Sequence, residues 1–156
     1  MADVLTPEQR RYNMSRIKGR DTKPELLIRR ALHAEGFRYV LHRRHLPGCP
    51  DIVLPKYQTV IFVHGCFWHG HHCHLVKKPS TREDFWQTKL SGNVARDRAA
   101  ISALRSDGWK IAVVWECAVR GIARRPLEAI THRLAKFITS KKGAVLDVSG
   151  SVRRPF

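Results

Sequence analysis

One stretch constrains this chain more than any other: PGCPDIVLPKYQTVIFVHGCFWHGHHC, Pro47 to Cys73. Two apolar runs rich in β-branched residues, Asp51 to Leu54 and Thr59 to Val63, flank Pro55-Lys56-Tyr57-Gln58. Runs of that length and composition around a proline-led turn predict a buried β-hairpin. A lone carboxylate, Asp51, heads the first strand and is the only acidic residue between Glu35 and Glu83. The second strand runs directly into His64, Cys66, His69, His71, His72 and Cys73, with Phe67 and Trp68 among them. A chain that carries this segment must seat an acid and a cluster of metal-ligating side chains at the end of a buried sheet.

The rest of the chain is basic. Over 156 residues the formal net charge is +16, with Lys and Arg interleaved among apolar and aromatic residues. A field of that sign favours polyanions, and phosphate contacts supply most non-specific nucleic-acid affinity. The hydrophobic share of 43% and four tryptophans argue for a folded single domain rather than a disordered basic tail. No run approaches the ~20 apolar residues of a membrane span, and MADVLTPEQRR lacks the apolar core of a signal peptide. The expected location is therefore the cytoplasm, without membrane association. In a reducing compartment, four cysteines point to metal or free thiols rather than to disulfides.

In chain order, residues 1–21 read as a basic surface arm. Thr22-Lys23-Pro24-Glu25 is a capping box, with Glu25 expected to reach back to the Thr22 backbone N–H. It opens a helix that stops at Gly36, after which Phe37 to His42 alternate as a strand. Beyond the His/Cys cluster, Thr81 with Asp84 marks a helix start; Gly92 interrupts it and Asn93 caps a further helix ending at Gly108. Trp109 to Trp115, apolar on both faces apart from Lys110, predicts a central strand with Cys117 just past its end. Leu127 to Ile138 forms a last helix, and residues 141–156 are expected to be a flexible tail. The sum is one α/β domain over residues 22–140, a mixed sheet flanked by helices.

Cys66-x4-His71-x-Cys73 with Cys117 makes a Cys3His set suited to a closed, structural tetrahedral zinc site. Cys117 joins only if the two buried strands lie side by side, and His72 or His74 could stand in for His71. Phosphodiester hydrolysis needs a divalent cation on carboxylate oxygen, a positioned water and a proton acceptor. Asp51 can hold Mg²⁺, His69 suits general-base work, and His64 lies near Asp51 if the hairpin forms. Glu25, besides capping its helix, could orient the water.

These residues carry a resemblance. MSRIKGRDTKPELLIRRALHAEGFRY, PGCPDIVLP, VIFVHGCFWHGHHC, FW-x9-RD and GWKIAVVWEC together resemble the very short patch repair (Vsr) DNA mismatch endonucleases, from about Met14 to Cys117. The resemblance implies a restriction-endonuclease-like fold and a Mg²⁺-dependent enzyme that acts on double-stranded DNA. It would nick one strand 5′ to the T of a T:G mismatch, the lesion left when 5-methylcytosine deaminates. It implies Asp51 and the backbone carbonyl of Val63 as Mg²⁺ ligands, His69 as base, and His64 and Glu25 completing the site around the attacking water. It implies Cys66, His71, Cys73 and Cys117 as zinc ligands, Phe67, Trp68 and Trp86 as aromatics wedged into the base stack, and Met14 in an arm entering from the other groove. A monomer is expected, with mismatch-repair proteins as candidate partners. Asp97, in a matching block, is equally well explained by a surface salt bridge.

Val63 and Cys49 depart from the family's usual polar and basic residues at their positions, and Phe62-Val63-His64 stands where restriction-type nucleases carry an acid-x-Lys. Exposed Phe67-Trp68 beside a metal site would be poor surface design unless it met apolar matter, and base faces are such matter. Unstacking a step costs a few kcal/mol, less where pairing is already defective. Two rivals remain: a non-catalytic zinc-stabilised DNA-binding module, and a restriction-type nuclease cutting paired duplex. Asp51 speaks against the first, because a pure binder gains nothing from a carboxylate facing phosphates.

Overall fold

The computed structural model describes residues 6–9, 11, 20–77 and 79–151. Helix α1 (Lys23–Ala34) is followed by β1 (Val40–Leu41), β2 (Ile52–Leu54), a 3-10 turn (Pro55–Tyr57) and β3 (Thr59–His64). Then come α2 (Glu83–Ser106), β4 (Lys110–Trp115), the short α3 (Glu116–Val119), α4 (Leu127–Thr139) and β5 (Val145–Val148). The five strands form one sheet in the order β1-β2-β3-β4-β5. The first three are antiparallel, while β3/β4 and β4/β5 are parallel.

Side chains alternate across the sheet, and helices cover both faces. On one side Ile52, Leu54, Ile61, Ala112 and Val114 pack with Ile28 and Leu32 of α1 and with Ile130, Leu134 and Ile138 of α4. On the other, Val53, Val60, Phe62, Ile111 and Val113 pack with Ile101 and Leu104 of α2. This double cover explains why β3 and β4 are continuous apolar runs. The expected hairpin is present, with Val53 opposite Val60. Its partner strand is parallel, Ile61 opposite Ala112 and His64 opposite Trp115, which brings Cys66 and Cys117 to the same end of the sheet.

The capping box differs in one contact. Thr22 Oγ1 accepts the Glu25 N–H at 3.4 Å, but the Glu25 carboxylate takes the N–H of Asp21, at 3.2 Å, rather than that of Thr22. The expected strand over Phe37 to His42 shrinks to Val40–Leu41, since Phe37 turns into the core and the Tyr39 hydroxyl donates to the Arg29 carbonyl.

The helix expected to break at Gly92 does not. A single helix runs 24 residues from Glu83 to Ser106, and its N-cap, Arg82, makes no side-chain capping bond. Glycine inside a helix costs ~1 kcal/mol, which packing of the second half against β4 outweighs. Asn93, rather than capping, donates its side-chain amide to the Trp68 carbonyl at 2.9 Å.

The expected flexible tail is also corrected. Val145–Val148 is a sheet strand paired with β4, and Val148 is fully buried. Beyond it, Gly150 and Ser151 donate backbone N–H groups to Cys117 Sγ and the Ala123 carbonyl. The domain therefore runs past residue 140 to at least Ser151. Lys110 fastens α4 to the sheet: its ammonium donates to the carbonyls of Phe137, Ile138 and Ser140 at 2.6–2.7 Å. A cation at a helix C-terminus in such a half-buried setting is worth up to ~2 kcal/mol.

Candidate active site and metal centre

The C-terminal ends of β3 and β4 carry the chemistry. Cys66, His71, Cys73 and Cys117 each offer a ligand atom, and all four lie within 4.8 Å of one another. His72 and His74 are exposed, which leaves His71 as the histidine of the set; its Nδ1 is 3.7 Å from Cys117 Sγ. Backbone N–H groups of Cys117 and Gly150 point at the sulfurs of Cys66 and Cys117, at 3.4 and 3.2 Å. Burial pushes both the Cys66 and Cys117 thiols up, against the pull of those N–H groups. Three thiols and an imidazole crowded together are a good tetrahedral donor set, and a cation there would draw off the thiol protons. The residues fit a metal ion.

His71 is held by a residue that the sequence reading passed over. Trp115 stacks on its ring at 4.2 Å and 13°, and the indole N–H donates to both carboxylate oxygens of Asp147, at 3.0–3.1 Å. Trp115 also meets His64 edge-on, ring centroids 5.2 Å apart.

Beside this cluster, His64 and His69 stack face to face, centroids 3.7 Å apart and planes 4° from parallel. They differ in electrostatics. His69 Nδ1 lies 2.6 Å from Asp97 Oδ2, so the carboxylate fixes the Nδ1–H tautomer and leaves Nε2 as the free basic atom. Asp97 is half-buried and faces inward, not a loose surface pair. His64 is buried, and its Nδ1 has no hydrogen-bond partner. Burial, with repulsion from His69 and against the attraction of Asp97, lowers its pKa to about 3. At neutral pH it is an uncharged imidazole.

Asp51, at the head of β2, accepts the Val63 backbone N–H on Oδ2 at 2.7 Å. Burial and the neighbouring Glu25 carboxylate raise it to about 7, although the Val63 N–H pulls the other way. A desolvated carboxyl beside a second carboxyl is a site whose charge asks for a cation, so Asp51 fits a divalent ion and the adjacent Val63 carbonyl could join it. Glu25 is almost fully buried, and its carboxylate faces Arg29 Nη1 at 3.1 Å and His42 Nε2 at 3.1–3.2 Å. The sequence does not single out His42, because a histidine in an alternating strand carries no signal of its own.

Phe67, Trp68 and Trp86 form one cluster, with centroids 5.1–5.8 Å apart. All three are half-exposed and belong to neither core. The Lys89 ammonium sits 5.5–5.9 Å from the rings of Trp68, Trp86 and the exposed Phe85. Met14 lies outside the described residues.

The family model described as DNA mismatch endonuclease Vsr matches residues 2–75. The DNA mismatch endonuclease Vsr of Escherichia coli K12 is 44% identical over 96% of this chain and 97% of its own length. The chain belongs to the DNA mismatch endonuclease Vsr family. A second relative, a Type II nicking enzyme of Xanthomonas oryzae pv. oryzae, is 50% identical over 75% of this chain and 86% of its own. Among solved structures, the catalytic domain of the homing endonuclease I-Bth0305I superposes with a TM-score of 0.51 over 77% of this chain and all of its own, at 19% identity. That likeness shows a shared fold. Among the described residues, no helix is long and apolar enough to cross a membrane.

The raised Asp51 pKa makes a prediction for the metal-free protein. Between pH ~4 and ~7 the unfolded chain releases this proton before the folded one does, so stability falls as pH rises through that window and stays low above it. At about 1.4 kcal/mol for each tenfold change in ionisation, the ceiling is ~4 kcal/mol. In chelator, Asp51→Asn, which keeps an acceptor for the Val63 N–H, should melt above the parent at pH 8 and level with it at pH 4. A variant that is less stable at pH 8 would show that burial of the charge is not the controlling term.

Proposed function

We propose that this protein is a Mg²⁺-dependent, zinc-stabilised endonuclease that nicks one strand of double-stranded DNA 5′ to the T of a T:G mismatch. The observations that carry the reading are Asp51, buried with a raised pKa on the N–H of Val63 one residue before His64, and His69, stacked on His64 and oriented by Asp97, in a chain of the Vsr family. Its action is in the cytoplasm, on DNA, with mismatch-repair proteins as candidate partners and the monomer as the working form.

In this reading Asp51 and the Val63 carbonyl hold Mg²⁺, which supplies charge neutralisation at the scissile phosphate. His69 Nε2 takes the proton of the attacking water, and Asp97 stabilises the imidazolium that results. His64, whose basicity burial lowers, is the weaker proton acceptor of the two; stacked on His69, it offers its unpartnered Nδ1 to a phosphate oxygen or to the water. Glu25 helps to orient the water. Cys66, His71, Cys73 and Cys117 hold zinc, which keeps the segment carrying His69 and the aromatic cluster rigid. Phe67, Trp68 and Trp86 wedge into the base stack, and Met14 acts from the arm. The described arm residues Thr6 to Gln9 and Arg11 are exposed, as a surface arm requires.

A binding module that does no chemistry is the weaker alternative, because nothing in pure binding calls for an oriented His69–Asp97 pair or a buried Asp51. Nicking of end-labelled T:G and T:A duplexes tests the proposal. One strand of the T:G duplex should be cut 5′ to the mismatched T, only with Mg²⁺, and Asp51→Ala should abolish the cut while binding mismatched DNA as well or better. Equal cutting of the paired duplex would favour the restriction-type reading, and substantial Mg²⁺-dependent cutting by Asp51→Ala would remove Asp51 from its role.

The wedge carries its own prediction. Inserting rings disrupts stacking on any duplex, but a wobble step has less to lose. Trp68→Ala should weaken T:G binding by on the order of 1–3 kcal/mol, the scale of one base–aromatic stack. Non-specific affinity and its salt dependence should hold, because the phosphate contacts are intact. Titration of matched and mismatched duplexes at fixed salt measures the ratio; an equal loss on both would make Trp68 mere packing.

A further inference from the structure

We propose that His42 is a positioning residue for the nicking reaction, a strap that fixes the Glu25 carboxylate relative to Asp51. The inference rests on the reading of Glu25 and Asp51 given above and adds a residue to it.

His42 follows β1 directly and lies opposite Asp51 in the continuation of the β1/β2 pairing. Its backbone N–H donates to the Asp51 carbonyl at 3.2 Å. Its side chain reaches the first turn of α1, with Nε2 3.2 Å from Glu25 Oε1 and 3.1 Å from Oε2. One residue is therefore tied through its main chain to one acid and through its ring to the other. The backbone that permits this is unusual: φ is +47°, a left-handed conformation that histidine adopts more readily than most residues but that still has a cost. A side chain held over a buried acid by a strained backbone is a device for placing that acid.

The remaining contacts of Glu25 show what His42 adds. The Asp21 N–H reaches Oε1 at 3.2 Å, and Arg29 Nη1 reaches Oε2 at 3.1 Å while also binding Asp21 Oδ1 at 2.6 Å. Both of these donors come from α1 and the segment leading into it, so they hold the carboxylate against its own helix. Glu25 also meets the Asp51 carboxyl directly, a contact that repels when both are ionised; among the described N–H donors to Glu25, His42 alone comes from the sheet that carries Asp51. Asp21, Glu25 and His42 could also be read as a cation site, since their donor atoms lie within 4.8 Å of one another. The Arg29 guanidinium already bridges the two carboxylates, however, and supplies the compensating charge. With Asp21 N–H, Arg29 and His42 all donating to it, Glu25 is placed to hold a water rather than to coordinate an ion directly.

The test is a double-mutant cycle on the full chain with a T:G duplex. Single-turnover nicking is measured at saturating enzyme and Mg²⁺, DNA affinity without divalent metal, and melting temperature for each variant. His42→Ala, and His42→Asn, which tolerates the left-handed backbone but is too short to reach Glu25, should nick about 10–100-fold more slowly, the usual scale for losing a supporting partner. Their DNA affinity should stay within about twofold of the parent's. His42→Gln, whose amide can still donate to Glu25, should recover to within about threefold. In a Glu25→Gln background, His42→Asn should slow the reaction no further, because its effect passes through Glu25. Parental rates in both truncated variants, a loss confined to affinity, or losses that multiply in the double variant would each overturn the role of His42. Parental nicking by Glu25→Gln would overturn the reading of Glu25 and the inference with it, so the two failures are told apart by that single variant.

Discussion

Three thiols and an imidazole drawn from sites as far apart as Cys66 and Cys117 meet at the ends of β3 and β4, and the working face of the molecule depends on that meeting. It depends in turn on a parallel pairing in register, His64 opposite Trp115. A shift of one residue would turn every side chain to the opposite face, separating His64 from the core and Cys117 from its partners. The loop from Gly65 to Val76 contains little that could fold by burial. What holds it is the crowding of its Cys and His side chains with Cys117, backbone N–H groups aimed at sulfur, and Trp115 clamped between His71 and Asp147. His69 and the pair Phe67-Trp68 lie between two residues of the ligand set, so whatever fixes the set fixes them.

Against that frame, charge is distributed in an economical way. A chain of net charge +16 approaches phosphate readily, but chemistry at phosphate needs acids in defined places. Asp97 sits behind His69 and sets its tautomer, and Asp147 sits behind Trp115. Glu25 is enclosed by Arg29 and His42. Asp51, by contrast, is buried beside another carboxylate, and burial with that neighbour raises its pKa to about 7. The same environment that lowers the stability of the metal-free protein is what would make Asp51 a strong ligand.

The sequence was most legible where burial and ligand chemistry impose residue types. The hairpin, the central strand and the clustering of Cys66, His71, Cys73 and Cys117 are written in β-branched runs and in Cys and His, and all appear where expected. It was least legible where a contact comes from far along the chain. Nothing near Val145 to Val148 says that β4 needs a neighbour, so the short run Ala144-Val145-Leu146-Asp147-Val148 after Lys141-Lys142-Gly143 reads as a loose end. Gly92 and Asn93 carry the local signature of a helix break, but tertiary packing and the Asn93–Trp68 bond override it. The role of Asp97, left open against a surface salt bridge, and that of His42 were hidden for the same reason: a single polar residue on a helix or strand takes its meaning from what faces it. The resemblance to Vsr enzymes named the residues of the site, and the geometry adds the partners that hold them.

The most direct test of this account is the metal content of the folded protein, measured by elemental analysis after purification without chelator. One zinc ion per chain, retained through dialysis, is the predicted result. A folded, metal-free protein would contradict it, because the segment carrying His69, Phe67 and Trp68 would then owe its order to something other than the four ligands.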